Sequence, residues 1–335
     1  MKPGWLEKEM EDARSSACDS IIRNPRALQF SSKNVRHYTL GEMLERDSKF
    51  AKKAISGSRS RLPGPHASAV AGSFSECNFF LVPPNKKASL EFLCDHSLSL
   101  NFVFLAENSV LRLFTTIASQ AMDLVGLELE PGSSLKAGLL KYKGHFAYHG
   151  QAAAASSGAS ISTASFWGGS GRGEVASSLT GLDASAMHLG LSIGGGSEKL
   201  NLDSSVVHSS HNTASEVVMR GVAQDSSATE FRGNVTVESN GKGSKSRLEQ
   251  QILLLDKNAQ AGAEPVLEIK HNEVECSHSA AVRKIEEEKL FYLMSRGLSR
   301  KRAKTTMVTG FLRSTINRIQ DRELKNRFMP PFMRD

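Results

Sequence analysis

Two residues with metal-binding side chains, Cys276 and His278, stand two apart near the C-terminal end of the chain. If they lie on a β-strand, residues i and i+2 point to the same side. A thiolate and an imidazole would then face one space, and both are ligands for iron or zinc. The pattern predicts half of a metal site; His271 and Glu275 are close, although Glu275 would point to the opposite face. The alternative is that Cys276 is a small core residue and His278 a hydrogen-bonded turn residue.

Two other histidine pairs have spacings that occur in metal sites. His208 and His211 are three apart, and His145 and His149 are four apart. Neither pair has the acidic companions that a hydrolytic metal site needs. We therefore interpret all four histidines as structural.

Motifs for enzymatic chemistry are absent from the sequence. There is no G-x-S-x-G elbow, and the glycine-rich stretch at residues 169–173 lacks the lysine of a nucleotide-binding loop. The acids Asp183, Asp203 and Asp225 are scattered, whereas a carbohydrate-active enzyme needs a close carboxylate pair. We predict a protein that is not an enzyme; a β-helix enzyme acting on polysaccharide is a weakly supported alternative.

The cysteines and the apolar segments predict the compartment. Cys18, Cys77, Cys94 and Cys276 form no closely spaced pair, so a disulfide framework is not expected and the compartment is predicted to be reducing. The sequence starts without the apolar region of a secretory signal, and no apolar run is long enough for a transmembrane helix. The sequence therefore predicts a cytoplasmic protein without a membrane partner.

The net charge of +7 is concentrated at one end. Residues 281–335 contain 14 Lys or Arg and 6 Asp or Glu, so the rest of the chain is close to neutral. A nucleic-acid interface needs a basic face with aromatic side chains or a known module. Aromatic residues make up only 7% of the chain. We predict no nucleic-acid partner; the tail is a solvated helix face or a face that contacts an acidic partner.

Three regions follow from the changes in composition. Residues 1–65 are predicted to be a helical region, with Trp5, Met10 and Ala13 at helical spacing and a second helix over residues 40–55. Residues 66–280 are rich in small residues and in short alternating segments bounded by Gly, Ser, Asn or Asp, which is typical of strands. A sandwich, a barrel or a parallel β-helix would fit. Even strand spacing with small residues between the strands favours the β-helix, with helical segments at both ends.

Residues 281–335 are predicted to form a helical hairpin. The first helix has Glu286 in its first turn and ends before Gly297, which accepts a left-handed conformation. Ser299 is a candidate N-cap for the second helix. That helix is predicted to run to Pro330, with Ala303, Met307, Phe311, Thr315 and Ile319 on one face.

Several sequence strings resemble the SufB/SufD family of the SUF iron–sulfur cluster assembly system. The longest is residues 280–298, which contain the string LFYLMSRG at 290–297, preceded by EPVLEI at 264–269 and VECSH at 274–278. RGEV at 172–175 and GKGSKS at 241–246, with LLL at 253–255, also resemble family motifs. The resemblance covers residues 172–311, is faint over 70–170 and is absent before that.

The resemblance implies a right-handed parallel β-helix and a role without catalytic turnover. In the family, two β-helix subunits pair through their ends, a SufC-type ABC ATPase docks on the C-terminal helices, and ATP binding strains the pair so that the site of nascent cluster assembly is exposed. The chain would be a non-catalytic subunit with a transient iron–sulfur cluster near Cys276 and His278; whether a flavin takes part is open. The residues expected to contact the ATPase are Leu290, Phe291, Tyr292, Arg296, Gly297 and Phe311.

Two departures from the family pattern favour the SufD side of the family. Ile269 stands where SufB proteins have the cysteine thought to receive sulfur, and Ser279 stands where SufB has a glutamate. Cys276 with His278 matches the SufD pattern instead. The alternative is a short, archaeal-type scaffold that pairs with a second copy of itself and holds the nascent cluster with its own thiolates, which would require Cys77 or Cys94 near the site.

Overall fold

The described part of the protein, in a computed structural model, comprises residues 28–61, 67, 70, 73–95, 97–118, 120–141 and 146–328. The helical pattern around Trp5, Met10 and Ala13 and the end of the chain at Pro330 lie outside these residues. Among the described residues, no helix combines the length and apolar character needed to cross a membrane.

The central region is a parallel β-helix of two nine-stranded sheets, which confirms the predicted fold class. Successive strands alternate between the sheets, so β3–β18 make eight coils. The odd sheet consists of β2 (Arg36–Thr39), β3 (Glu76–Val82), β5 (Leu98–Leu105), β7 (Met122–Leu129), β9 (Ala147–Ala155), β11 (Gly171–Leu179), β13 (Lys199–His208), β15 (Ala228–Val237) and β17 (Gln260–Ile269). The even sheet consists of β1 (Gln29–Lys33), β4 (Lys87–Cys94), β6 (Val110–Ile117), β8 (Ser134–Lys141), β10 (Ser160–Gly168), β12 (Ser185–Gly194), β14 (Ala214–Ala223), β16 (Lys245–Leu254) and β18 (Glu275–Lys284).

The coils differ in length, which explains why no strict repeat is visible in the sequence. Within β3–β18, seven of the eight turns from the odd sheet to the even sheet contain one residue with positive φ, and each of those residues is Asn, Asp or Gly. The sequence separation between side chains that hydrogen-bond across adjacent coils is 23 for Asn78 and Asn101 but 31 for Thr213 and Ser244. The coils therefore lengthen toward the C-terminus, and a pattern of fixed period cannot describe them.

The N-terminal end of the β-helix is covered by two strands and a helix. β1 pairs antiparallel with β4, and β2 pairs antiparallel with β3. The strands differ from the predicted helical region, because residues 29–39 find open sheet edges to pair with. Helix α1 (Leu40–Arg61) follows as predicted, with non-helical backbone at Asp47, whose carboxylate accepts a hydrogen bond from the Phe50 N–H at 2.9 Å.

Three helices, α2 (Glu287–Ser295), α3 (Arg300–Ile316) and α4 (Arg322–Phe328), cover the outer face of the even sheet. Gly297 has φ +92° between α2 and α3, and the Ser299 hydroxyl caps α3 by accepting the Arg302 N–H, both as predicted. The predicted continuous helix to Pro330 is wrong, because α3 ends at Ile316 and α4 begins after a loop. A Cβ at Gly138 would meet side-chain atoms of α4 at 2.9 Å, so the close approach of α4 requires glycine there.

Candidate functional site

Cys276 and His278 lie on β18, and their side chains face the interior of the β-helix. Cys276 is in register with Ser246 and His278 with Leu248 on β16. Ser246 and Leu248 are both buried in the interior. Since stacked strands keep the same alternation, the predicted same-side arrangement of Cys276 and His278 holds.

The last coil leaves this interior open at its C-terminal end. β17 and β18 are the final strands of their sheets, so no described coil stacks on them. Ile269 and Val282 occupy interior positions, in register with the buried Val237 and Ile252, yet they are 45% and 42% exposed. Apolar side chains, a thiol and an imidazole are therefore presented together at one open end.

The surroundings of Cys276 favour its neutral thiol over the thiolate. Burial raises the pKa of the Cys276 thiol, and a hydrogen bond with the Ser246 backbone offsets only part of this effect. Glu275 points to the other face, as predicted, and its carboxylate lies 3.0 Å from the Lys245 ammonium. His271 lies in the turn before β18, where its Nδ1 accepts the Glu273 N–H at 3.0 Å. Burial thus favours the neutral thiol of Cys276.

A buried chain of hydroxyl groups begins at Ser246, the neighbour of Cys276 on β16, and no sequence motif predicted it. The Ser246 and Ser215 hydroxyl oxygens are 2.7 Å apart, and the Ser215 hydroxyl is 2.8 Å from His208 Nε2. His208 Nδ1 is 2.8 Å from the Thr213 hydroxyl, and burial lowers the pKa of His208 to about 4. Ser215 and Ser246 have a sequence separation of 31, so only the coil register brings them together.

The other histidine pairs do not come together as metal sites. His208 is buried and engaged by hydroxyls, whereas His211 is exposed in the following turn. His149 is buried in the interior, and His145 lies outside the described residues. Throughout the described ranges, no cluster of three or more His, Cys, Asp or Glu side chains could hold a metal ion. Cys276 and His278 supply two ligands at most.

A groove of about 650 Å³ runs along the outer side of the even sheet and reaches Cys276. Its lining includes Ser134 on β8, Ser160 on β10 and Ser277 on β18, together with Gln320 from the loop before α4. The groove extends from the loop between α3 and α4 to the last strand, β18.

The residues predicted for partner docking divide into two groups. Leu290 is fully buried against the even sheet, so its predicted place in a docking surface is corrected: it anchors α2. Phe311 is half-buried, and its ring lies 5.2 Å from the Arg220 guanidinium, so it too contacts the β-helix. Phe291 and Tyr292 are 73% and 57% exposed.

The exposed aromatic side chains lie on α2, next to the hydrogen-bonded turn that follows it. The Arg296 guanidinium lies 5.5 Å from the centre of the Tyr292 ring and donates to its hydroxyl at 3.3 Å. The Gly297 N–H bonds to the Met294 carbonyl, and the Leu298 N–H to the Leu293 carbonyl, at 2.9 and 3.3 Å. This end of the hairpin therefore presents Phe291, Tyr292 and Arg296 to solvent.

Comparison with known proteins gives one family. Residues 98–311 match the family model described as SUF system FeS cluster assembly, SufBD core domain. Similar curated proteins include the iron–sulfur cluster assembly SufBD family protein of Mycobacterium leprae, 33% identical over 134 residues, and the iron–sulfur cluster assembly protein SufB of Bacillus subtilis, 31% identical over 134 residues.

Each alignment covers 40% of this chain, but only 15% of the Mycobacterium leprae protein and 29% of the Bacillus subtilis protein. The match thus spans less than a third of the length of these relatives. The family model covers well over half of the chain, including β5–β18 and the exposed hairpin. The chain belongs to the SufBD family of the SUF iron–sulfur cluster assembly system.

Proposed function

We propose that this chain is a SufD-like, non-catalytic subunit whose open end pairs with a second β-helix subunit at the site of cluster assembly. The observation that carries the proposal is the uncovered last coil with Cys276 and His278 on its interior face. Unpaired edges and exposed apolar side chains of β17 and β18 are surfaces that a second sheet end would cover. Residues 1–65, 66–280 and 281–335 would then act as cap, β-helix and docking region.

The nascent cluster is the cargo of this site. Iron in such clusters is held mainly by thiolates, and this chain supplies Cys276 and His278. The remaining ligands would come from the partner subunit and from sulfide. A cationic iron centre would also lower the pKa of the Cys276 thiol and favour the thiolate. Assembly therefore takes place at the junction of two subunits, where both half-sites meet.

Ile269 favours the SufD-like role. It occupies the interior position of β17 where SufB proteins have a cysteine, and its side chain cannot accept sulfur. The SufB-type partner would supply that thiol, so the two subunits divide the chemistry.

The α2–α3 hairpin is the proposed docking surface for a SufC-type ABC ATPase. Tyr292 and Arg296 belong to the residue types that dominate binding energy at interfaces. α2 and α3 pack directly on the even sheet through Leu290 and Ala303. Movement of a docked ATPase would thus be transmitted to the β-helix and to its open end.

The test is anaerobic reconstitution with iron and sulfide, with and without a SufC-type ATPase and a SufB-type subunit. We expect the chain alone to develop no stable visible absorbance and the complete complex to develop it. In the complex, Cys276→Ser and His278→Ala should reduce the absorbance. Ser279→Ala should leave it unchanged, because Ser279 is exposed on the opposite face of the same strand. Failure to bind either partner contradicts the proposal.

A self-pairing scaffold is the second candidate. The open end favours it too, since two copies could meet there and bring two Cys276 thiols together. Cys77 and Cys94 do not support it: both are buried toward the N-terminal end, on β3 and β4. A stable cluster in the lone protein that is lost in Cys276→Ser would favour this candidate.

A further inference from the structure

The hairpin that carries the exposed aromatic residues has an unusual charge distribution. Residues 289–320 contain eight Lys or Arg and no Asp or Glu. Four of these cations form ion pairs with acids elsewhere in the chain: Lys289 with Glu286, Arg300 with Glu287, Lys304 with Asp256 and Arg318 with Glu216. The other four, Arg296, Lys301, Arg302 and Arg313, have no acidic partner among the described residues.

Lys301 and Arg302 occupy a position where cations are unfavourable. They lie in the first turn of α3, which contains no acidic residue, and both are exposed. The N-terminus of a helix carries a partial positive charge, so a cation there is electrostatically unfavourable. Ser299 caps this end of the helix, but neither Lys301 nor Arg302 has an acidic partner among the described residues.

The unpaired cations adjoin the aromatic surface. Arg300 bridges from the first turn of α3 to Glu287 in the first turn of α2, at 2.9 Å, and holds the two helices together. Lys301 and Arg302 follow it directly, and Arg296 stacks on Tyr292 at the turn. The same part of the hairpin therefore combines exposed aromatic rings with exposed positive charge, fixed in place by the buried Leu290 and Ala303.

We propose that the surface that covers Phe291 and Tyr292 is acidic, and that Lys301 and Arg302 steer the ATPase onto the hairpin by charge. This inference rests on the proposed docking of the ATPase and adds the chemistry of its surface: an apolar pocket for the aromatic rings, bordered by Asp or Glu. Charges at the rim of an interface govern mainly the association rate and the choice of partner. A buried aromatic anchor governs mainly dissociation.

The test measures association of the full chain with its cognate SufC-type ATPase across ionic strength. In Lys301→Glu/Arg302→Glu the association rate should fall about tenfold or more at low salt, and its salt dependence should flatten. The matched control is Arg313→Glu, which removes the unpaired, exposed cation in the last turn of the same helix. Its association rate should stay within about twofold of the wild type, since Arg313 lies away from the aromatic surface.

Misfolding is not a confounding cause in the double variant, because acids in the first turn of a helix are stabilising. Tyr292→Ala identifies the surface independently by accelerating dissociation. If Tyr292→Ala weakens binding while the double charge reversal keeps the wild-type rate and salt dependence, the charge proposal is overturned and the docking proposal stands. If the wild type does not bind the ATPase at any salt concentration, the docking proposal itself fails. The charge proposal is also overturned if the double charge reversal weakens binding of a single-stranded oligonucleotide but leaves association with the ATPase unaffected.

Discussion

The two ends of the β-helix differ in how their last strands are completed. At the N-terminal end, β1 and β2 pair antiparallel with the first coil and α1 packs over the odd sheet. β1 and β2 are themselves edge strands, but the interior of the first coil is covered, and Phe80 is fully buried there. At the C-terminal end, β17 and β18 are the edge strands, and no described segment covers their interior side chains. Edges left open are a hazard for aggregation unless a partner covers them. The first coil is thus covered by segments of the same chain, whereas no described segment covers the last coil.

Polar side chains in the interior show the same difference. At the closed end, His37 Nε2 lies 3.0 Å from the Asn78 side-chain oxygen, and the Asn78 amide donates to the Asn101 oxygen at 3.1 Å. The Asn101 amide donates to the Ser99 hydroxyl, which donates to the buried Asp123 carboxylate. The chain of donors thus ends at Asp123. At the open end, by contrast, His278 is exposed and no described side chain bonds to its ring.

The largest expected difference concerns packing at the two ends. Phe80 is fully buried at the closed end, with its ring 5.0 Å from both Phe30 and His37. Phe80→Ala should lower the free energy of unfolding by about 3–5 kcal/mol. A smaller truncation at the open end, Val282→Ala, should cost less than about 1 kcal/mol, because the side chain is 42% exposed. Urea denaturation of both variants measures the difference; equal losses would contradict it.

The second prediction concerns acid stability of the closed interior. Burial lowers the pKa of His188 to about 4, while its two ring nitrogens contact Ser177 and Ser204 at 2.8 and 2.7 Å. An unfolded histidine takes up its proton near pH 6.5. Between that pH and 4 the unfolded chain binds the proton more readily, so stability is lost as the pH falls through this window. In the wild type, the free energy of unfolding should fall between pH 7 and pH 5. In His188→Gln this fall should be smaller by about 2 kcal/mol. An unchanged pH dependence in this variant would contradict the prediction.

The third prediction breaks the polar chain at the closed end. Ser99→Ala removes one hydrogen bond from the Asp123 carboxylate, which is 1% exposed. Loss of this buried hydrogen bond should cost about 1–3 kcal/mol. Ser277→Ala, the same change at an exposed position of β18, should stay within about 0.5 kcal/mol. Thermal unfolding of the pair provides the comparison, and a neutral Ser99→Ala would show that Asp123 finds another donor.

The smallest effect on stability is expected at the open end itself. Ile269→Arg places a charge on an interior position that is already 45% exposed, so the free energy of unfolding should change by less than about 0.5 kcal/mol. Pairing with a second β-helix subunit should nevertheless be lost, because the charge would be buried without a partner. Size-exclusion chromatography with light scattering checks the pairing. Pairing at wild-type affinity would place the interface elsewhere.

Several elements could be predicted because local chemistry decides them. The helix end at Gly297 and the cap at Ser299 depend on the backbone conformation of adjacent residues, and both predictions are confirmed. The strands predicted over residues 66–280 follow from alternation within single segments, and β3–β17 lie there.

The break between α3 and α4 could not be predicted in this way. It depends on Asp321, which caps α4 by accepting the Leu324 N–H. The same carboxylate lies 3.0 Å from the Arg112 guanidinium, at a sequence separation of 209. The residues next to Asp321 in the sequence do not predict that contact.

The amino-acid sequence alone predicted the family, the β-helix with helical segments, and the same-side placement of Cys276 and His278. Each of these depends on contiguous strings of residues or on the two-residue period of a strand. The tertiary structure was needed to show that the coil carrying these residues is the last one and remains open. It was also needed to show that Leu290 faces the β-helix while Tyr292 faces solvent. The physical reason is that residues on other coils determine the coil register and the face of each helix that is covered. These residues are distant in sequence, so the local sequence pattern does not predict the contacts.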